Sequence, residues 1–197
     1  MPNNENSGIL IYAQLTREEY IHTVFFELVD KAKELAQKLG GTEVKAVLIS
    51  RPHLIDSFKE SFQNMGLSKV YYFESEELKE YSTEYHSKLI VDLVQNIKPE
   101  ILLIGATNQG RDLAPRVASA LGTGLTADCT GLDINEKGQL AATRPTFGGQ
   151  LMATILCKNY PQMATVRPNV FKVNSLKKCN RKTIHILFIS KLFTEKN

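Results

Sequence analysis

The chain of 197 residues contains no apolar run of the roughly 18–20 residues needed to cross a bilayer, which excludes a membrane-spanning helix. Its start, Met1-Pro2-Asn3-Asn4-Glu5-Asn6, is polar and lacks the basic stretch of a secretory leader, so an unexported, soluble, cytoplasmic protein is expected. There are three cysteines, Cys129, Cys157 and Cys179, and their spacings match neither a disulfide framework nor a zinc module. A reducing compartment follows, with Cys129 and Cys157 read as small apolar residues inside strands. The four histidines, His22, His53, His86 and His185, are scattered without a His-x-x-x-His pair and read as surface residues. No Gly-x-Ser-x-Gly elbow and no cysteine pair with ligand spacing occurs, so neither hydrolytic chemistry nor a metal site is expected, and no general base stands out.

Charge of one sign is also scarce. Lys plus Arg number 24 against 21 Asp plus Glu, a net charge of +3. Residues 174–197 carry +5 of this and residues 1–173 carry −2, so the body is mildly acidic and nucleic-acid binding is not supported. What the chain does have is 43% hydrophobic and 23% charged residues, the composition of a globular domain.

The apolar residues alternate between two periods. Gly8 to Ala13 reads as a strand, and Ile21, Val24, Phe25, Leu28, Val29, Ala32, Leu35 and Ala36 recur at helical spacing up to Gly40-Gly41. The unit repeats with Glu43 to Ile49 and a helix marked by Ile55, Phe58, Phe62 and Met65. It repeats again with Lys69 to Phe73 and a helix through Leu89, Ile90, Leu93, Val94 and Ile97, then with Ile101 to Ile104. Strands alternating with helices imply a three-layer α/β/α domain with a mainly parallel sheet. After a helix over Arg111 to Leu121, four strands are read at Thr126–Ile134, Leu140–Phe147, Leu151–Cys157 and Met163–Val166, with a hairpin signal at Asn135-Glu136-Lys137-Gly138. This last third is expected to add antiparallel strands to the sheet or to form a flap beside it. The final segment, Asn174 to Asn197, differs in character from the body. Two readings stand: a basic linker with one more strand, or unrelated residues in place of a natural continuation.

Three segments stand out. Leu103-Ile104-Gly105-Ala106-Thr107-Asn108-Gln109-Gly110-Arg111-Asp112 leaves a central parallel strand and enters a helix, where the free N–H groups, the Thr107 hydroxyl and Arg111 could hold a phosphate. The spacing fits neither a dinucleotide fingerprint nor a P-loop, and a plain strand-to-helix turn is the other reading. In Gly122 to Gly131, small residues permit close approach of a ligand, and Asp128 is either a ligand acceptor or a local turn acceptor. Arg144-Pro145-Thr146-Phe147-Gly148-Gly149 and Arg167-Pro168 place two arginines at strand ends, for a planar or anionic partner or for an ion pair within the domain.

With Gly124-Leu125-Thr126-Ala127-Asp128-Cys129 and Gln162-Met163-Ala164-Thr165-Val166-Arg167-Pro168 added, these blocks resemble the electron transfer flavoprotein alpha subunit over about residues 8–172. That resemblance implies an adenine nucleotide alpha hydrolase-like fold and an alpha/beta heterodimer. It also implies an electron carrier rather than an enzyme, taking electrons from acyl-CoA or related dehydrogenases through FAD, in fatty acid beta-oxidation or carnitine metabolism. It assigns Thr126, Asp128, Arg144, Phe147, Gly148, Gly149 and Arg167 to the cofactor-facing surface shared with the beta subunit. The family's carboxyl-terminal flavin domain has no counterpart after Lys172. Residues 1–173 are therefore expected to be the amino-terminal domain of a truncated alpha subunit, with residues 174–197 a tail of unrelated character and FAD binding by this chain alone in doubt. A free-standing adenine-nucleotide-binding module and a domain that self-associates through edges left uncovered are the two competing readings.

Overall fold

The computed structural model describes residues 6–173 and 185–188. The chain runs β1 (Ile9–Ala13), α1 (Thr23–Lys38), β2 (Val44–Ser50), α2 (Lys59–Asn64), β3 (Lys69–Glu74), α3 (Thr83–Ile97), β4 (Ile101–Gly105), α4 (Asn108–Leu121), β5 (Leu125–Cys129), β6 (Gly131–Ile134), β7 (Leu140–Thr146), β8 (Leu151–Leu156), β9 (Gln162–Val166) and β10 (His185–Phe188). Seven strands form one sheet in the order β10-β3-β2-β1-β4-β9-β5, all neighbours parallel, and β6-β7-β8 form a separate antiparallel sheet.

β1, β2 and β4 are buried at every position because both faces of the sheet are covered, which is why they read as continuous apolar runs. Alternation still divides them. Ile9, Ile11 and Ala13 pack with α1, whereas Leu10 and Tyr12 face the other side with Leu89, Ile90, Leu93, Leu113 and Val117 of α3 and α4. His22, Ser82 and Thr107 cap α1, α3 and α4 by accepting a backbone N–H, and Gly122 in the left-handed region ends α4.

The last third forms the expected antiparallel flap beside the main sheet, and differs from the sequence reading in two ways. β5 and β9 join the main sheet as parallel strands, so only β6, β7 and β8 are antiparallel. The stretch Thr126–Ile134 is two strands rather than one, because the β5–β9 register shifts between Thr126 and Cys129 where Asp128 adopts φ 61°. The expected hairpin turn is present: Asn135 Oδ1 accepts the N–H groups of Lys137 and Gln139, and Gly138 has φ 74°. Gln162, buried in β9, ties the two sheets together, its Oε1 accepting the Leu140 N–H at 2.5 Å and its Nε2 donating to the Cys157 carbonyl.

Two side-chain expectations are corrected. His86 is 3% exposed, not a surface residue, because helical spacing from Leu89 and Ile90 turns it onto the buried stripe of α3. Cys157 lies just past β8 and is half-buried, whereas Cys129 is buried in β5 as expected. Within the segment read as a tail, His185–Phe188 pair with β3 at the sheet's edge; its other residues lie outside the described ones.

Candidate functional site

Strands β1 and β4 are neighbours, and the helices that follow them, α1 and α4, pack on opposite faces of the sheet, so a crevice opens at the carboxyl ends of these strands. The crevice is an open cleft of about 1790 Å³, with Tyr12, Gln14, His86, Thr107, Asn108 and Gln109 among its lining residues. Glycine is required at both ends of the β4–α4 loop. A Cβ on Gly105 would lie 2.3 Å from Val24 Cγ1, and one on Gly110 only 1.8 Å from the Gly105 carbonyl oxygen.

Of the two readings of this loop, the geometry favours the plain strand-to-helix turn over a phosphate cradle. The Thr107 hydroxyl donates to Gln14 Oε1 at 2.5 Å and accepts the Gly110 N–H at 3.0 Å. Arg111 turns toward β5, its Nε donating to the Ala106 carbonyl at 3.1 Å and its Nη2 to Asp128 Oδ1 at 3.1 Å. Both groups are engaged within the protein. Gln109 Nε2 donates to the Tyr12 hydroxyl at 2.8 Å, and burial raises the pKa of that phenol well above its ordinary value. The charged lining of the cleft is mixed, with Glu18, Glu19, Glu76 and Glu80 against Arg17, Arg51 and Lys79.

The second locus lies at the carboxyl ends of β5 and β9. Asp128 accepts from Arg111 and also from Arg167, whose Nη2 and Nε approach at 2.5 and 3.3 Å. Hydrogen bonding from Arg167, aided by the charge of Arg111, holds the Asp128 carboxyl below the usual carboxylate range. The Asp128 N–H donates to Thr165 Oγ1 at 2.8 Å, which fixes its left-handed backbone. One carboxylate thus holds two partly exposed guanidinium groups and leaves the trio with a net positive charge.

Of the residues assigned from sequence, Asp128 and Arg167 are in contact. Thr126 is buried beneath them, and its carbonyl accepts from the Cys129 thiol, whose pKa burial pushes up to about 12. Arg144, Phe147, Gly148 and Gly149 lie on β7 and the turn after it. Phe147, Gly148 and Gly149 all have positive φ, and this backbone leaves the Phe147 side chain 79% exposed. The Arg144 Nε is buried with no hydrogen-bond partner among the described residues. Anion binding by Arg111 was one of two readings of the sequence, and its bond to Asp128 was in neither. Gln162 and Thr165 stand within one of the blocks that carry the resemblance but have no role there, since both acquire theirs only through the β9 pairing.

These residues do not fit a flavin pocket by themselves: none of the seven lines the cleft, Phe147 is largely exposed and Arg167 is partly exposed, whereas the Arg144 Nε is buried away from both. Among the described residues no group of His, Cys, Asp and Glu could hold a metal ion, and no helix is long and apolar enough to cross a membrane.

Fold and site together define a wound α/β domain carrying a small antiparallel sheet and an arginine-bearing rim. The chain belongs to the electron transfer flavoprotein domain family, which matches residues 9–187. It is 48% identical to the electron transfer flavoprotein subunit alpha of Clostridium acetobutylicum over 174 residues, covering 87% of this chain and 51% of that protein. The same-named protein of Thermoanaerobacterium thermosaccharolyticum is 48% identical over 170 residues, covering 86% and 50%. The LctC subunit of lactate dehydrogenase (NAD(+),ferredoxin) from Acetobacterium woodii is 42% identical over 165 residues, covering 83% and 38%. The chain spans about half the length of the curated relatives it matches.

Proposed function

We propose that this chain is the scaffold domain of an electron-carrier alpha subunit, docking a beta subunit and presenting an arginine-bearing rim to an FAD held mostly by other protein segments. Family membership supports the electron-transfer role. The observation that carries the placement of the rim is the Asp128 clamp, which holds Arg111 and Arg167 side by side at the sheet's carboxyl edge. A cationic edge of this kind favours a neighbouring group that gains negative charge, as a planar redox centre does on reduction. Arg144 and Phe147 extend the same reading across β7 and its turn, one offering a guanidinium and the other an exposed aromatic face. Electrons enter from dehydrogenases of the acyl-CoA type and leave through the complete assembly; no substrate bond is cleaved on this domain.

Co-expression with a beta subunit tests the reading. A stable one-to-one complex is expected, weakened when Arg167 is replaced by alanine and unaffected by Lys88→Ala on the helical face. Two folded chains that fail to associate would count decisively against it, as would flavin absorbance in this chain purified alone.

A further inference from the structure

Tyr12, Gln14 and His86 line the cleft at the carboxyl ends of β1 and β4 and are only 2%, 7% and 3% exposed. Each makes one hydrogen bond that fixes its polar group and leaves a second polar atom with no partner among the described residues. The Tyr12 hydroxyl accepts from Gln109, and its own proton meets no acceptor. The Thr107 hydroxyl accepts the Gly110 N–H at 3.0 Å, so its proton goes to Gln14 at 2.5 Å and the accepting atom there must be the amide oxygen. The Gln14 NH2 group is left open. His86 Nδ1 faces the Ser82 carbonyl at 2.9 Å and carries the ring proton, so Nε2 is a bare acceptor. Buried polar atoms without a partner cost free energy, and three of them on one cleft are satisfied by whatever enters it.

None of the three side chains carries charge at neutral pH, because burial keeps the Tyr12 phenol protonated and the His86 ring neutral. Nor does the rim favour an anion. Arg51 is already held by Glu19 through two N–H groups at 2.6 and 2.7 Å, and Arg17 and Lys79 stand among Glu18, Glu76 and Glu80. Tyr81 supplies a flat wall: its ring centroid lies 4.9 Å from that of His86, it is 37% exposed, and its hydroxyl donates to Asp112 at 3.1 Å. We propose that the cleft takes an uncharged planar ring with a lactam edge, N–H beside C=O, stacked on Tyr81, its N–H donating to His86 Nε2 and its carbonyl accepting from Tyr12 or Gln14. A phosphate or carboxylate would set its lone pairs against that of His86 Nε2. At about 1790 Å³ the cleft exceeds the roughly 300–1,000 Å³ of an ordinary ligand pocket, so the ring enters either free or attached to a sugar.

Titration of the full chain with uracil at pH 7, followed by calorimetry and by the NMR signals of the His86 ring, tests this. Saturable binding that shifts those signals is expected. 1,3-Dimethyluracil keeps the ring and both carbonyls but has no N–H, and should bind about fivefold to tenfold more weakly, the worth of one neutral hydrogen bond. In His86→Phe the two compounds should bind alike, and Tyr12→Phe should weaken uracil by a similar factor. Uridine binding at least as tightly as uracil identifies a nucleoside as the source of the ring, whereas uracil binding alone identifies the free base. Absence of binding by either overturns the proposal and leaves water on the open atoms. So does dimethyluracil that matches uracil on the unaltered chain, a comparison that needs no variant to fold. Uridine monophosphate binding more tightly than uridine also overturns it, in favour of an anion.

Discussion

Arg167 grips Asp128 through two N–H groups, Nη2 at 2.5 Å from one carboxylate oxygen and Nε at 3.3 Å from the other, across the two parallel strands β9 and β5. Because this holds the Asp128 carboxyl below the usual range, its stabilising contribution is present at neutral pH and is lost as pH falls through the folded-state value. Asp128→Asn keeps a residue tolerant of positive φ and removes only the charge. It should lower stability by about 1 kcal/mol at pH 7, the partners being partly solvated, with the difference from wild type shrinking toward pH 3. Urea titrations at the two pH values measure it.

Glu27 of α1 is buried, and its carboxylate accepts three successive backbone N–H groups, Asn169 at 2.9 Å and Val170 and Phe171 at 3.0 Å. This pins the chain where it leaves β9. Glu27→Gln exchanges an acceptor oxygen for a donor and should cost about 2 kcal/mol. Amide hydrogen exchange should accelerate at residues 169–171 before anywhere in β9, and uniform protection across that turn would refute the role.

Gly110→Ala should be among the most damaging single-methyl changes, costing about 3 kcal/mol or more, since the added carbon meets the Gly105 backbone oxygen and not a movable side chain. Gly148→Ala has open space around it but φ 66°, so backbone strain of about 1–2 kcal/mol is the whole expected cost. Thermal melts of the two variants separate steric from conformational cost.

His86 donates from Nδ1 to the Ser82 carbonyl at 2.9 Å and packs against Tyr81 and Tyr12, and burial brings its pKa down to about 4. The unfolded chain therefore binds a proton that the folded chain refuses between pH 6.5 and 4. Stability is full above this window and falls as pH drops through it, by at most about 1.4 kcal/mol per pH unit. His86→Phe should flatten that slope, read as denaturation midpoints across the window.

The alternation of strands and helices was legible because each of β1 to β4 is a short apolar run and each long helix shows an apolar stripe, and local sequence suffices for both. The hairpin at Asn135–Gly138 was legible for the same reason, its turn being held by Asn135 itself. Thr126–Ile134 was misread as one strand because the break depends on Asp128, whose left-handed backbone is held by Thr165 and two arginines far away in sequence. Asp128, Arg144, Phe147 and Arg167 all stand in recognisable motifs, but which arginine meets Asp128 was not legible, since Arg111 and Arg167 are equally plausible partners until β9 is threaded between β4 and β5.

By itself, then, the sequence determined the layers of this protein, its family and the glycine-lined loop after β4, because periodicity and backbone permissiveness are properties of neighbouring residues. Only the tertiary structure decided that Arg111 serves Asp128 in place of a phosphate, that His86 is buried, and that Tyr12, Gln14 and His86 meet at one cleft. Those outcomes depend on distances between segments tens of residues apart, which pairing order and register set and no local pattern encodes.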